Sequence, residues 1–316
     1  MKHHILTIGG ATWDVLLTTD ECYLLPGGSH KLLGFPYGGK VDVSNAVYGF
    51  GGGAANVAVG LSKLGLKTSI ITRLGNDWRG HEVVKNLQHY KIDTTKVQKD
   101  KKLVTPLSFV ITSCGPRDHV VFVDRAASQN LQIPRQPDKT ATWLYLTSLA
   151  TPTWSISLDK LFQASKARGV KVFWNPGSKQ LQQFESLKKL LPYVTILNVN
   201  KEEAGLIIKR RKSAASDVSV LLKGLKSFGP EMVIITDGAN GAYCFDGSHI
   251  LYHAALKVKP VNTTGAGDAF GSGFLAGLIH TGEVKKALHW GMLNSSSVIT
   301  LPGAQKGLLR LRAITS

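Results

Sequence analysis

One segment pairs a carboxylate with a run of small residues at the predicted start of a helix: residues 262–268, with the sequence NTTGAGD. Small residues at a helix start leave several backbone N–H groups free to bind phosphate oxygens. Those before the acid are Gly265, Ala266 and Gly267. Asp268 could take a proton from a hydroxyl while these N–H groups hold the charge of a transferring phosphoryl group. An isolated Asp268 would be an ordinary helix-start carboxylate, so this prediction depends on the whole segment.

Two further glycine-rich turns carry polar side chains that could bind a polyol. Residues 51–56 (GGGAAN) open a predicted helix, and residues 9–14 (GGATWD) follow the first predicted strand. Glycines let a ligand approach the backbone, and α/β sheets bind ligands at the carboxyl ends of their strands. Asp14 and Asn56 could therefore share a polyol. Taken singly, each could equally be a turn or cap residue.

Two shorter patterns indicate binding sites for a nucleotide and for its metal ion. Asn200 and Glu203 follow a predicted strand at a spacing that puts both on one side of the first helical turn, and oxygen ligands suit Mg²⁺. The same N-x-x-E spacing is that of a helix cap. Residues 236–241 (TDGANG) close another predicted strand. Their hydroxyl and N–H groups could contact a nucleotide phosphate, or the segment could be a plain hairpin turn.

The hydrophobic pattern predicts an α/β scaffold for these segments. Short runs rich in β-branched residues alternate with amphipathic stretches, the pattern of a mostly parallel sheet covered by helices. A helix predicted at 56–64 places Val57, Leu61 and Leu64 on one face. The predicted strands are residues 5–8, 68–72, 143–147, 170–174, 195–199 and 232–236.

Two regions interrupt this alternation, residues 14–50 and 103–123. The first is rich in Gly, and in the second two β-branched and aromatic runs flank a turn at 114–118. Together they predict a small β-sheet beside the main layer. Because the sequence contains no repeat, low-complexity tract or linker, we expect a single domain over residues 1–316.

Composition sets the broad class of the protein. The 316 residues are 43% hydrophobic and 19% charged, enough for a full core, which excludes a disordered chain and a collagen-like repeat. No apolar run reaches the ~18 residues of a membrane span, and no signal-peptide pattern is present, so we expect a cytoplasmic protein without a membrane partner. The net charge of +17 attracts anions generally. The basic runs contain no interleaved aromatic residues, so we expect no nucleic-acid partner.

The chemical segments, in this order and at these separations, resemble the ribokinase (PfkB) family of carbohydrate kinases over nearly the whole chain. Residues 52–56 are similar to the N-terminal signature of that family and residues 263–270 to its C-terminal signature. Shorter similarities lie at 175–177 and 303–305. The resemblance implies a doubly wound α/β sandwich with a β-sheet lid, formed by parts of the two interrupting regions, over a sugar. It also allows a homodimer through that lid.

The resemblance implies a role for each segment. Asp268 would be the base that activates the acceptor hydroxyl, and the N–H groups of Gly265, Ala266 and Gly267 would form an anion hole. The acceptor would be bound by Asp14, Gly52, Gly53 and Asn56. ATP would be bound by Asn200, Thr236, Gly238, Gly241 and Asn294. Mg²⁺ would be positioned by Asn200 and Glu203, largely through water.

Three departures from the family pattern bear on the substrate and the cations. Asn262 stands where the family usually has Asp, at a position linked to a monovalent cation, so K⁺ activation does not follow from the resemblance. Residues 148–151 lack the Glu with which ribokinases bind ribose. Ala54 and Ala55 stand where family members acting on sugar phosphates commonly have Lys or Arg. We therefore expect ATP-dependent phosphorylation of an uncharged acceptor of the ribose, ribonucleoside or fructose type.

Two other interpretations stay open at the level of sequence. Residues 49–54 fit G-x-G-x-x-A, and Arg73 could hold the 2′-phosphate of NADP, as in an oxidoreductase, although residues 262–268 then have no purpose. The second interpretation is a non-catalytic, basic binding protein built on the same scaffold. If the protein is a kinase, we expect the helix start to keep Asp268 ionised at neutral pH, as a weak base.

Overall fold

The computed structural model describes residues 3–27, 30–113, 119–209 and 217–315, so the turn predicted at 114–118 lies outside the described residues. The strands are β1 (His4–Ile8), β2 (Thr12–Thr19), β3 (Tyr23–Gly27), β4 (His30–Gly34), β5 (Asn45–Gly51), β6 (Lys67–Ile71), β7 (Arg73–Gly75), β8 (Gln98–Asp100), β9 (Leu107–Ser113), β10 (His119–Asp124), β11 (Trp143–Leu146), β12 (Lys171–Trp174), β13 (Ile196–Asn200), β14 (Met232–Thr236), β15 (Ala242–Phe245) and β16 (Ile250–His253). The helices are α1 (Gly53–Lys63), α2 (Trp78–His89), α3 (Trp154–Ala167), α4 (Ser178–Gln182), α5 (Phe184–Leu190), α6 (Lys201–Lys209), α7 (Val218–Lys226), α8 (Ala266–Thr281), α9 (Val284–Val298) and α10 (Leu311–Thr315).

The central sheet has eight strands in the order β16-β15-β14-β13-β12-β11-β1-β6. The strands from β6 to β14 run parallel, and β15 and β16 extend the sheet as an antiparallel edge. All the strands predicted from the sequence lie in this sheet, with each end within about one residue of its predicted place. The predicted doubly wound α/β fold is thereby confirmed.

Helices cover both faces of the central sheet, which explains why its strands are nearly continuous apolar runs. On one face Leu6 and Trp174 pack among side chains of α3 to α7. On the other face Ile5 and Tyr145 pack among side chains of α1, α8, α9 and α10. The α1 helix starts at Gly53, earlier than predicted, because its first turn consists of small residues outside the apolar periodicity. The two cores hold the ends of β1, α1 and α8 in fixed relative positions.

A second sheet lies beside the first, in the order β10-β9-β2-β5, and confirms the predicted small sheet. The chain enters it from β1 through Gly9, whose φ is +149° and where an added Cβ would lie 2.2 Å from Thr147 Oγ1. Between β2 and β5 the chain forms a separate hairpin of β3 and β4, and β7 pairs with β8 in a further short sheet. The pattern analysis had resolved neither of these.

No helix in the described ranges is long and apolar enough to cross a bilayer.

Candidate active site

At the start of α8, Gly265 packs closely on Ala304. Gly265 occupies the N-cap position in the left-handed region, with φ +80°, and an added Cβ would lie 2.5 Å from the Cβ of Ala304. Asp268 follows in the first helical turn. The left-handed residue and the close approach both require glycine, so the backbone of residues 265–267 is fixed by the loop that contains Ala304.

A first cavity, of about 250 Å³, lies between the second sheet and the carboxyl end of β1. Its wall includes most of the predicted acceptor and catalytic residues, together with Thr264, Ser148 and Ala150. The predicted residues among them are Asp14, Gly52, Gly53, Asn56, Gly265 and Asp268. Segments from opposite ends of the chain are thus brought together, as the strand-end argument predicted.

Asp14 is 4% exposed and is anchored through one oxygen. Its Oδ1 accepts hydrogen bonds from Thr12 Oγ1 and Ser108 Oγ, both at 2.6 Å. Burial raises the pKa of the carboxyl, and the two hydroxyl hydrogen bonds lower it. Since Oδ1 already has two donors, Oδ2 is the oxygen that remains for a hydroxyl in the cavity. Sequence reasoning had missed Ser108, which comes from the distant β9.

Asp268 and Asn56 form a hydrogen-bonded pair at the floor of this cavity. Asn56 Nδ2 donates to Asp268 Oδ2 at 2.9 Å. Burial raises the pKa of Asp268 to about 6, the nearby Asp14 also raises it, and the Asn56 hydrogen bond lowers it. At neutral pH the group is still mostly ionised, as expected. The carboxylate is a stronger base than the helix start alone implies, because partial burial makes it bind a proton more tightly than a free one.

A second cavity, of about 390 Å³, lies on the other side of the same helix start. Ala266 and Gly267 line it, whereas Gly265 and Asp268 line the first. Its remaining wall is largely apolar, with Leu256, Val258, Phe270, Met292 and Ile299. The turn at residues 265–268 therefore forms a wall shared by two cavities, one lined by carboxylates and one suited to a flat apolar group.

The segment 236–241 proves to be both a turn and part of a cavity wall. It connects β14 to the antiparallel β15 through a short 3₁₀ turn, which is the hairpin interpretation. Thr236, Gly238 and Gly241 also line the second cavity, where the ligand interpretation requires them. Asp237 faces Lys201, with Lys201 Nζ donating to Oδ2 at 2.8 Å.

Asn294 does not contact the second cavity, contrary to the prediction for this residue. It is fully buried, and its Nδ2 donates to Ala269 O and Ser272 Oγ at 2.8 and 3.2 Å. Its Oδ1 accepts from Leu309 N at 2.9 Å. Asn294 therefore ties α9 to α8. The cavity is lined instead by Ser295 and Ser296.

Asn200 and Glu203 form the helix cap that their spacing allowed. Glu203 N donates to Asn200 Oδ1 at 2.8 Å, and Asn200 N donates to Glu203 Oε2 at 2.9 Å. Burial raises the pKa of Glu203. Within the described ranges, no cluster of three or more His, Cys, Asp or Glu side chains could hold a metal ion. The cap leaves Glu203 Oε1 available, which fits a contact to Mg²⁺ through water rather than a protein cage.

Arg125 was missed by the sequence analysis and lines the first cavity at the end of β10. Among the residues that the structure describes, no carboxylate forms a salt bridge with its guanidinium. The only sequence signal was its place directly after a strand of the second sheet. The first cavity thus contains one unpaired cation beside two carboxylates.

The oxidoreductase interpretation is wrong. Residues 49–54 are the end of β5 and the start of α1, and β5 belongs to the second sheet, so no central strand feeds this turn. Arg73 is paired with Asp100, its Nε lying 3.0 Å from Oδ2. A dinucleotide-binding turn requires a central strand that leads directly into the glycines.

Known proteins have similar sequences and similar folds. Residues 3–310 match the pfkB family carbohydrate kinase model. The chain is 28% identical over 266 residues to a ribokinase of Haemophilus influenzae, covering 82% of this chain and 84% of the relative. It is 25% identical over 311 residues to a nucleoside kinase of Methanothermobacter thermautotrophicus, covering 96% of this chain and 92% of the relative. An Arabidopsis thaliana ribokinase, solved with ribose and ATP, has a similar fold, with a TM-score of 0.80 and 18% identity over 100% of this chain and 98% of that one.

A family match over almost the whole chain accords with a site in which the two predicted signatures, at the starts of α1 and α8, line one cavity. The chain therefore belongs to the pfkB family of carbohydrate kinases and is a sugar or nucleoside kinase.

Proposed function

We propose that the protein transfers the γ-phosphate of ATP to a hydroxyl of an uncharged sugar or nucleoside, of the ribose, ribonucleoside or fructose type. The acceptor binds in the first cavity and the nucleotide in the second. The observation that carries this proposal is the shared wall at residues 265–268, with the Asp268 carboxylate facing one cavity and the backbone of Ala266 and Gly267 facing the other. The N–H group of Ala266 donates to Thr263 O at 3.2 Å, which leaves that of Gly267 for a phosphate oxygen. A phosphoryl group passing between the cavities would meet both.

Asp268 accepts the proton of the attacking hydroxyl, and the N–H groups of Gly265 and Gly267 stabilise the charge on the phosphoryl oxygens. Ala266, the third donor predicted from the sequence, donates its N–H to Thr263 O instead. Holding the two reactants on either side of one turn supplies the proximity on which phosphoryl transfer depends. The second sheet, which lines the first cavity, acts as a lid that excludes water and keeps ATP from hydrolysis. In this proposal the whole chain works as one domain.

The acceptor is held by a small number of polar groups. Asp14 contributes Oδ2, since its Oδ1 is occupied. Asn56 contributes the one N–H of its amide that does not bond Asp268. Val110, Val121 and Val123 of the second sheet supply an apolar wall for the carbon face of the sugar or for a base. This mixture suits a polyhydroxylated, uncharged ring.

Mg²⁺ supplies charge neutralisation to the nucleotide phosphates when it is bound with ATP. Asn200 pairs with Thr236 across β13 and β14, so the Asn200–Glu203 cap lies next to the wall of the second cavity. Glu203 Oε1 would orient the water around the cation. The dimer through the second sheet stays a prediction, to be tested by sedimentation at several protein concentrations.

Arg125 supports a second candidate, an acceptor that carries a carboxylate or phosphate. The screen that decides is ATP consumption with ribose, fructose, adenosine, inosine, cytidine and 2-keto-3-deoxy acids. We expect turnover with an uncharged acceptor. Turnover with acids alone, reduced by about 10²-fold in Arg125→Met, would replace the first candidate by the second. No acceptor-dependent ATP consumption at all would remove both.

The acid limb of the pH profile follows from Asp268. Burial raises its pKa to about 6, and only the ionised form accepts a proton. We therefore expect kcat/KM to be flat near pH 7.5 and to fall about tenfold per pH unit below about pH 6. The measurement is kcat/KM for the best acceptor between about pH 5 and 8, with a coupling system checked separately at each pH. A limb near the ordinary Asp value, about 4, would contradict the assignment.

A further inference from the structure

A chain of side-chain amides leads from Asp268 to the far side of α1. Asn56 Nδ2 donates to Asp268 Oδ2, and Asn56 Oδ1 accepts from Gln305 Nε2 at 3.0 Å. Gln305 Oε1 accepts in turn from Asn86 Nδ2 at 2.9 Å. Asn56 and Gln305 are 3% and 6% exposed, so water does not compete for the bond between them. Four side chains from four separate segments thus form one continuous hydrogen-bonded row.

The row has a single consistent direction. An ionised carboxylate only accepts hydrogen bonds, so Asn56 must turn its NH₂ group toward Asp268 and its carbonyl oxygen away. That oxygen requires a donor, so Gln305 must present its own NH₂ group, and its oxygen then requires the NH₂ group of Asn86. If Gln305 were reversed, two oxygens would face each other in a buried place, at a cost of about 1–3 kcal/mol.

Gln305 is well placed to hold this direction because its own backbone is fixed. It lies in the loop between α9 and α10, next to Ala304, whose Cβ packs on Gly265. The same loop therefore touches the proposed anion hole through one residue and the amide row through the next. Asn86 lies on α2 and shares with Gln305 the wall of a separate cavity under β5.

We propose that Gln305 is a positioning residue for phosphoryl transfer, which fixes the amide of Asn56 so that its N–H group, and not its oxygen, faces Asp268. This inference rests on the proposed function, in which Asp268 is the base. Gln305 does not line the first cavity, so it acts only through Asn56. Without Gln305 the Asn56 amide can rotate. The Asp268 carboxylate then loses a hydrogen-bond donor, and in one orientation the Asn56 carbonyl oxygen faces it.

The consequence for Asp268 has a definite sign. The hydrogen bond from Asn56 lowers the pKa of Asp268, against the raising effects of burial and of Asp14. The other titratable groups that face Asp268 are Tyr145 of β11 and Arg125, and among the described side-chain hydrogen bonds those of the Gln305 amide go to Asn56 and Asn86. Loss of the oriented amide therefore moves the acid limb of the rate profile to higher pH.

The test is the pH dependence of kcat/KM in Gln305→Met, which keeps the size of the side chain and removes the donor. We expect the acid limb to move up by about one pH unit and kcat at neutral pH to fall about tenfold. Gln305→Glu keeps length and hydrogen bonding, but its carboxylate only accepts, so it reverses Asn56. In Gln305→Glu we expect the acid limb to move to higher pH by at least as much. This variant replaces Gln305→Met in the test if Gln305→Met does not fold.

A double-mutant cycle with Asn56→Ala shows whether Gln305 acts through Asn56. Once Asn56 is removed, we expect Gln305→Met to move the limb no further. Leu161→Ala, in the fully buried core on the other face of the sheet, is the control for destabilisation alone, and we expect its limb to stay in place.

Two results would overturn the proposal: a limb at the wild-type pH in both Gln305 variants, or full additivity in the cycle. Failure of the proposed function is seen separately in Asp268→Asn. If that variant keeps kcat, Asp268 is not the base. If it loses kcat while the Gln305 variants keep the wild-type limb, only the positioning role fails.

Discussion

Asp268→Asn is expected to lower kcat by about 10²- to 10⁴-fold, the usual contribution of a general base. The substitution keeps the shape of the side chain and its contact with Asn56, so the acceptor and ATP should still bind, with KM values close to wild type. The measurement is steady-state kinetics with the acceptor found in the screen. A variant with nearly wild-type kcat would exclude Asp268 as the base.

The same variant carries an internal control for folding. Because the pKa of Asp268 is raised to about 6 in the folded protein, above its ordinary 3.8, the ionised and partly buried carboxylate opposes folding. This cost is absent below about pH 4, where the carboxyl is protonated in both states, and is complete above about pH 6. We therefore expect Asp268→Asn to have a higher Tm than wild type at pH 7.5 and an equal one near pH 4. An inactive variant with a raised Tm would identify a loss of chemistry rather than of fold.

Gly265→Ala is expected to have the second largest effect, a loss of at least about 10²-fold in kcat together with a lower Tm. The substituted residue would need a positive φ, and its Cβ would lie 2.5 Å from Ala304 Cβ. The turn that presents the N–H groups of residues 265–267 must therefore move. A displacement of about 1 Å in such donors is enough to remove most of their contribution. Enzyme kinetics and thermal unfolding of the same preparations measure both effects.

Gly282→Ala is the matched control for this change. Gly282 ends the same helix with φ +71°, and an added Cβ there would meet no atom within 4 Å. It therefore carries the same backbone strain, of about 1 kcal/mol, without the clash and away from both cavities. We expect Tm to decrease slightly and kcat to stay at the wild-type value. If Gly265→Ala behaves like Gly282→Ala, the turn at 265–267 does not stabilise the transferring group.

The central sheet could be predicted closely because its strands are covered on both faces and appear as short apolar runs between helical patterns. The hairpin of β3 and β4 and the short pair β7 and β8 could not, since they are exposed or only a few residues long. The grouping of Asp14, Asn56 and Asp268 followed from one rule, that parallel strands and the helices after them place their polar ends at one edge.

The errors in the predicted site have equally physical causes. Successive residues of a helix point about 100° apart, so a stretch named as nucleotide-binding places Asn294 against α8 while Ser295 and Ser296 reach the cavity. The strength of Asp268 as a base was misjudged because the helix start was weighed without burial. The contact of Gln305 with Asn56 joins positions 249 residues apart, and no local pattern in the sequence carries it.

The participation of the loop at Ala304 and Gln305 has a consequence during synthesis. Asp14 and Asn56 are translated first, and Asp268 follows 212 residues after Asn56. Ala304 and Gln305, which contact Gly265 and Asn56, are translated after all of them. On the ribosome, every proposed reacting group is therefore synthesised before the loop that aligns them. A chain truncated before Ala304 would therefore lack the contacts that hold Gly265 and Asn56 in place.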